Sequence, residues 1–186
     1  MRKKSGFTIM ELLVVIAIVA IMVSIGVPSL INWRQKAHLG KAARGVYAGL
    51  QKAKMEATRN NRVCVFNFSQ ITVNGVQYGF HLFIDRSNPL NFDYDAGVDT
   101  FITGFRTNDY PGVFLDTAFG DANGLAFLKD TAIGVPVLAF APDGLPRKRD
   151  GSLSSGSLYF HDGGKNGRQI SVSPVGRIQI SQYEAN

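Results

Sequence analysis

One uncharged run, residues 12–33, does most to limit what this chain can become. Arg2, Lys3 and Lys4 stand ahead of it, Ser5 and Gly6 follow them, and the only charge between Lys4 and Arg34 is Glu11. As an α-helix rising about 1.5 Å per residue, the run covers a hydrocarbon core of about 30 Å. A secretory signal peptide would carry small residues at a cleavage site after its apolar stretch. Here the candidate cut, after Gly6, comes first, so the apolar segment stays with the mature chain. Pro28, with Gly26 before it, is expected to weaken or kink the helix, because proline removes one backbone hydrogen bond and crowds the preceding turn.

Glu11 is the anomaly. A carboxylate at mid-membrane costs about 2.5–3.5 kcal/mol on insertion scales, and less near the edge. Either it reaches interfacial water or it pairs with a cation, and the uncut helix offers none. Cleavage after Gly6 would create one, the α-amine of Phe7, four residues and one helical turn away, within a chain or between neighbouring chains. The stretch Gly6-Phe7-Thr8-Ile9-Met10-Glu11-Leu12-Leu13-Val14 resembles the class III signal of type IV prepilins and pseudopilins. The resemblance implies a prepilin peptidase that cuts after Gly6 and N-methylates Phe7. It also implies that Glu11 helps to set subunit register in a filament, and that the helix can loosen at Pro28 when subunits pack. Arg2, Lys3 and Lys4 favour a cytoplasmic N-terminus, but Arg34, Lys36, Lys41 and Arg44 follow closely, so the positive-inside count leaves orientation open. The resemblance implies a single pass through a bacterial inner membrane, with the N-terminus cytoplasmic and the C-terminal part periplasmic.

Beyond the apolar run the helix is expected to continue as an amphipathic one. Leu39, Ala43, Val46, Leu50, Ala53 and Ala57 recur at steps of three and four, one helical face. Gly45, Gly49 and Ala53 form a small-residue ridge on which a sheet could lie close, and Asn60-Asn61 is a stop. The helix over 7–60 would be roughly 80 Å long. From Arg62 the pattern changes to short strands separated by Gly, Pro, Asn and Asp. Strands are expected over 63–68, 79–84, 100–106, 113–116, 125–128, 135–140, 157–160, 169–173 and 175–181, with a hairpin over 71–78 turning at Asn74-Gly75. Cys64, Phe66 and Phe68 should share a face. The fold class is α+β: a leader over 1–6, a transmembrane half of the helix over 7–33, an amphipathic half over 34–60, and an antiparallel, sandwich-like β domain over 61–186.

The chain has 186 residues, which leaves about 125 after the helix, enough for one core. Of the net charge of +6, Arg2, Lys3 and Lys4 supply three, so the basic character is partly a targeting signal. Cys64 is the only cysteine, which excludes an internal disulfide, and it reads as a small buried hydrophobe.

Phe140-Ala141-Pro142-Asp143-Gly144, Gly156-Ser157-Leu158-Tyr159-Phe160, Gly167-Arg168-Gln169-Ile170-Ser171-Val172 and Val175-Gly176-Arg177-Ile178 stand in that order. The succession resembles the C-terminal half of the GspH/FimT family of minor pseudopilins and minor pilins; Tyr78-Gly79-Phe80 and Phe83-Ile84-Asp85 resemble its middle region. Gly144 and Gly176 read as tight-turn positions.

No enzyme emerges. His38, His81 and His161 are scattered, Gly163-Gly164-Lys165-Asn166 lacks the residues of a phosphate loop, and Ser154 and Ser155 lack nucleophile-elbow spacing. No cofactor is implied. Asp85, Asp93, Asp95 and Asp99 offer oxygens that calcium could take, but without the spacing of an EF-hand; a solvated acidic loop is the favoured reading, with calcium as the alternative. Arg147, Lys148, Arg149, Lys165, Arg168 and Arg177 could bind DNA through phosphates if they shared a face, a role some FimT-type proteins have. Ile178-Gln179 after Gly176-Arg177 departs from that pattern, and dispersed solubilising charge is the other reading. The resemblance thus implies a structural subunit at or near the tip of a type II secretion pseudopilus or type IV pilus. Its partners would be other pilin subunits, the prepilin peptidase and an inner-membrane assembly platform, with DNA uptake as the alternative function.

Overall fold

The structure, a computed structural model, describes residues 8–115 and 137–185. A single α-helix, α1 (Ile9–Asn60), is followed by eleven strands and one short 3-10 helix (Thr107–Asp109) among these residues: β1 (Cys64–Asn67), β2 (Ile71–Val73), β3 (Val76–Tyr78), β4 (Phe80–Ile84), β5 (Thr100–Phe105), β6 (Phe114–Leu115), β7 (Val137–Phe140), β8 (Pro146–Arg147), β9 (Gly156–His161), β10 (Asn166–Val172) and β11 (Ile178–Glu184). The strands form a five-stranded sheet ordered β5-β4-β1-β7-β8, a four-stranded sheet ordered β11-β10-β9-β6, and the β2-β3 hairpin. Every named pairing is antiparallel. This is the α+β arrangement expected, one helix laid on antiparallel sheets.

The helix stops where the sequence said it should. Asn61 takes the left-handed conformation (φ 49°), and its N–H returns to the carbonyls of Ala57 and Thr58. All six residues of the expected face, Leu39, Ala43, Val46, Leu50, Ala53 and Ala57, are buried in the main core with Cys64, Phe66, Leu82, Leu138, Phe140, Leu158, Ile170 and Val172. Burying each of the larger aliphatic chains contributes about 1.5–3 kcal/mol, so this face fastens helix to sheets. Asn74 (φ 52°) and Gly75 (φ 76°) form the tight hairpin turn, both in the left-handed region that such a turn demands.

Strand β1 is buried on both faces. Cys64, Phe66 and Phe68 look towards α1, while Val65 joins Phe83, Phe92, Val137 and Ala139 in a second cluster on the far side of the sheet. Leu90, Phe92 and Tyr94, from the loop between β4 and β5, cover that second cluster. The expected strand over 125–128, and the ends of those expected over 113–116 and 135–140, lie outside the described residues. The runs expected over 63–68 and 100–106 are trimmed, the one expected over 175–181 is shifted to 178–184, and β8, a two-residue strand, had no counterpart in the sequence reading.

Candidate functional site

Thr8 opens α1: its extended backbone and its hydroxyl, accepting from Glu11 N–H at 3.2 Å, cap the first turn. Glu11 is thereby the acid of the first turn, where the helix dipole favours negative charge. Gly6 and Phe7 lie outside the described residues. From Ile9 to Ile31 the large apolar side chains are exposed, with no described residue outside the helix covering them. Within it the Ser24 hydroxyl donates to the Ile21 carbonyl at 2.7 Å, satisfying a polar group without water. The helix runs unbroken through position 28, so Gly26 and Pro28 do not interrupt it.

Two close approaches fix the other half of the helix to the β domain. A Cβ at Gly49 would stand 2.6 Å from Phe105 Cζ and 3.1 Å from Phe66 Cε2, and one at Gly45 would stand 2.5 Å from the Tyr110 hydroxyl oxygen. The small-residue ridge is therefore where aromatic rings reach the helix backbone. One turn further on, Lys54 Nζ donates to the Gly176 carbonyl at 3.0 Å. Gly176 (φ +73°) leaves no room for a side chain, since a Cβ would meet the Gly144 carbonyl oxygen at 2.7 Å, and Gly144 (φ +74°) packs on the Lys54 stem. Helix, β7–β8 turn and β10–β11 turn thus meet at one point, which is why both motif glycines are needed there.

The carboxylates of the aspartate loop are engaged by the loop's own backbone and side chains. Asp85, fully buried, accepts from the backbone N–H of Ser87 (2.9 Å), Asn91 (3.1 Å) and Phe92 (2.9 Å). Asp99 accepts from Arg86 N–H at 2.7 Å and Asp95 N–H at 2.8 Å, and Asp95 accepts from the Asn91 amide at 2.6 Å and the Ser87 hydroxyl at 3.1 Å. Asp93 accepts from the adjacent Tyr94 N–H. The carboxylates hold the loop in the shape that covers the second core. Among the described residues no group of three or more His, Cys, Asp or Glu is placed to hold a metal.

The six basic residues are distributed over β8 and its following turn, the turn before β10, β10 itself and the β10–β11 turn. Arg147 on β8 pairs with Asp143 at 2.6 Å and holds the Asp143 carboxyl below its ordinary value. Arg149 Nη2 donates to the Asn91 carbonyl and its guanidinium lies 5.8 Å from the Phe92 ring centre, stapling the aspartate loop. Lys148 is exposed beside it. Lys165, 3.7 Å from Glu184, precedes β10, and Arg177 follows it beyond the next turn. Seven strand residues separate these ends, about 20 Å. Arg177 faces the Gln179 amide, whose oxygen accepts from Nε at 3.0 Å and Nη2 at 2.8 Å in the orientation that satisfies both. Arg168 shares the helix-side face of β10 with Ile170 and Val172.

Burial sets the remaining electrostatics. The Cys64 thiol is pushed up to about 12, chiefly by desolvation and then by Glu56, so it stays protonated and serves as packing. His81 is held below its ordinary value by burial, with its Nδ1 3.2 Å from the Ser69 carbonyl and its ring stacked on Phe83. Thr8 and Lys54 were not singled out from the sequence. The signal for the first was present: Thr8-x-x-Glu11 is a capping-box pattern.

Known proteins match both parts of this construction. The Prokaryotic N-terminal methylation motif matches residues 1–27, and the Type II transport protein GspH family matches residues 42–176. The pilin-like protein PilA1 of Thermus thermophilus is 28% identical over 177 residues, which cover 95% of this chain and 98% of that protein. Two crystal forms of the type IV minor pilin FimU of Pseudomonas aeruginosa superpose with TM-scores of 0.45 and 0.43, at 18% and 23% identity. They cover 80% and 77% of this chain and 92% of FimU in each case. With its methylation motif, its apolar helix and a match that spans most of its length, the chain belongs to the Type II transport protein GspH family, a minor pilin or pseudopilin of the type IV pilin class.

Proposed function

We propose that this chain is a structural subunit at or near the tip of a type II secretion pseudopilus or type IV pilus, made as a precursor and cut after Gly6. The observation that carries the reading is the division of α1. One half is an apolar rod that none of the described residues covers, and the other is bolted to the β domain by a buried face and the Lys54 junction. A membrane covers such a rod before assembly, and the rods of neighbouring subunits cover it afterwards. The head then lies outward, on the periplasmic side, with the assembly platform and peptidase acting at the membrane.

Glu11 is the register element of this proposal. The pairing proposed for it is with a new α-amine at Phe7, four residues away in the sequence, its own or a neighbour's. Glu11→Ala is expected to leave cleavage intact and to lower incorporation into filaments, scored by the sheared-filament fraction. Normal incorporation of that variant would remove the pairing. Gly6→Ala is expected to keep the leader attached, read from the mass of the membrane-extracted chain.

A further inference from the structure

The two sheets have four edges among the described residues, and three are blunted. Strands β6 and β8 are two residues long, β8 begins at Pro146, and the pairing of β5 is broken by a register shift at Leu82/Phe83. The fourth edge, β11, is seven residues long and pairs with β10 in unbroken register. It carries no proline, no lysine and no bulge, and residues 179–182 are all exposed. Natural monomers rarely leave such an edge unprotected unless something pairs with it.

The direction of its hydrogen bonds follows from its two ends. Ser173 N–H donates to the Arg177 carbonyl at 2.9 Å and Ala185 N–H to the Lys165 carbonyl at 3.0 Å. Antiparallel pairs alternate between bonded and non-bonded positions, so the odd-numbered residues of β11 bond inward to β10. The even-numbered ones, Ile178, Ile180, Gln182 and Glu184, turn N–H and C=O to the open side. On the helix side of that edge Ile180 is 38% exposed, an apolar step beside the ladder. On the other face stand Gln179 and Ser181, with Arg177 and Glu184 marking opposite ends.

We infer that β11 receives an antiparallel strand from a different subunit of the same filament, with an apolar side chain against Ile180 and polar ones beside Gln179 and Ser181. A second copy of this chain does not suit the position. Pairing two β11 edges antiparallel requires a two-fold axis normal to the sheet, and that axis reverses every direction lying along the sheet. Helix α1 lies along it from Leu39 to Ala57, so the two helices would point oppositely, whereas subunits sharing one membrane and one filament keep them parallel. Pairing them in parallel about a two-fold along the strands would bring even residues level with even ones, and a parallel ladder needs an offset of one. The choice of a non-identical subunit rests on the filament role proposed above; the open ladder itself does not.

The test replaces Ile180 in the full-length chain by a photo-crosslinking phenylalanine and irradiates cells assembling filaments. The expected result is an adduct with a different polypeptide. Introducing Gln182→Pro, which removes one outward N–H while leaving the inward bonds, should lower its yield about tenfold. Gln182→Ala, which keeps the N–H, should leave the yield within about twofold. Protease resistance of each head confirms folding before yields are compared. An adduct of two identical chains, no adduct, or equal yields for the proline and alanine variants would overturn strand addition. The mass of the chain in the same preparation separates the two readings. A retained leader overturns the proposed function alone, and a processed chain without a hetero-adduct overturns this inference alone.

Discussion

Alanine at Gly49 and alanine at Gly40 make the same chemical change on the same helix, and the structure predicts opposite signs for them. At Gly49 the added Cβ would lie 2.6 Å and 2.9 Å from two carbons of the Phe105 ring and 3.1 Å from Phe66. Carbon atoms in contact sit at about 3.5–4.0 Å, so the ring must withdraw by roughly 1 Å. It has little room, because Phe66 already stands behind it at a centroid distance of 5.8 Å. Overpacking of this kind costs about 1–3 kcal/mol, against a helix-propensity gain of up to about 1 kcal/mol. The expected net loss is about 1–2 kcal/mol. At Gly40 the nearest atom is Arg44 Nη2 at 3.6 Å, an ordinary contact, so only the propensity gain of up to about 1 kcal/mol remains. Cys64, buried and the only thiol, supplies the assay: pulsed alkylation of the detergent-solubilised full chain across a urea series reports opening of the head. With a slope of about 2 kcal/mol per molar urea, the midpoint should fall by roughly 0.5–1 M for Gly49→Ala and rise for Gly40→Ala. A Gly49→Ala midpoint at or above the parent, or both variants moving together, would refute the idea that close approach to Phe105 is what requires glycine.

Three further outcomes can be read with the same assay. Lys54→Met keeps the stem that packs on Gly144 but removes the donor to Gly176, and should cost about 1–2 kcal/mol; no loss would mean that the junction is held by packing alone. Asp85→Ala removes the acceptor of three backbone amides and should cost about 2–4 kcal/mol, with the parent's midpoint unchanged by calcium or a chelator; a calcium-dependent midpoint would return the loop to metal binding. His81 is depressed below 6.5, so the unfolded chain takes up the proton first. Its contribution is whole above about pH 6.5 and is lost as pH falls through the folded value, so lowering pH from about 7.5 to about 5.5 should shift the parent midpoint more than that of His81→Gln. Asp99, raised by burial, acts in the opposite sense at lower pH and is common to both chains. Parallel profiles would show that His81 does not set the slope.

Features governed by local chemistry were legible in the sequence. The three-and-four spacing from Leu39 to Ala57 placed the buried face, Asn74-Gly75 placed a hairpin, and Gly144 and Gly176 declared positive φ through their turn contexts. What was hidden depends on which segments meet. Alternating aspartate oxygens look the same in a sequence whether they will accept from a cation or from backbone amides, and only the chain reversal after β4 turns Asp85 onto Asn91 and Phe92. Likewise Lys165, Arg168 and Arg177 are near in sequence, yet the β9–β10 and β10–β11 turns put Lys165 and Arg177 at opposite ends of one strand. The sorting of strands into two sheets also follows from long-range pairing, with β7 entering beside β1 although some seventy residues lie between them.

The central claim is that a short cationic leader is removed to free a helix that serves as membrane anchor and filament core at once. Intact-mass spectrometry of the chain extracted from its native membrane tests it most directly. A mature chain that lacks residues 1–6 and begins at a singly methylated Phe7 is the predicted result. A chain that still begins at Met1 in a cell with active prepilin peptidase would contradict it.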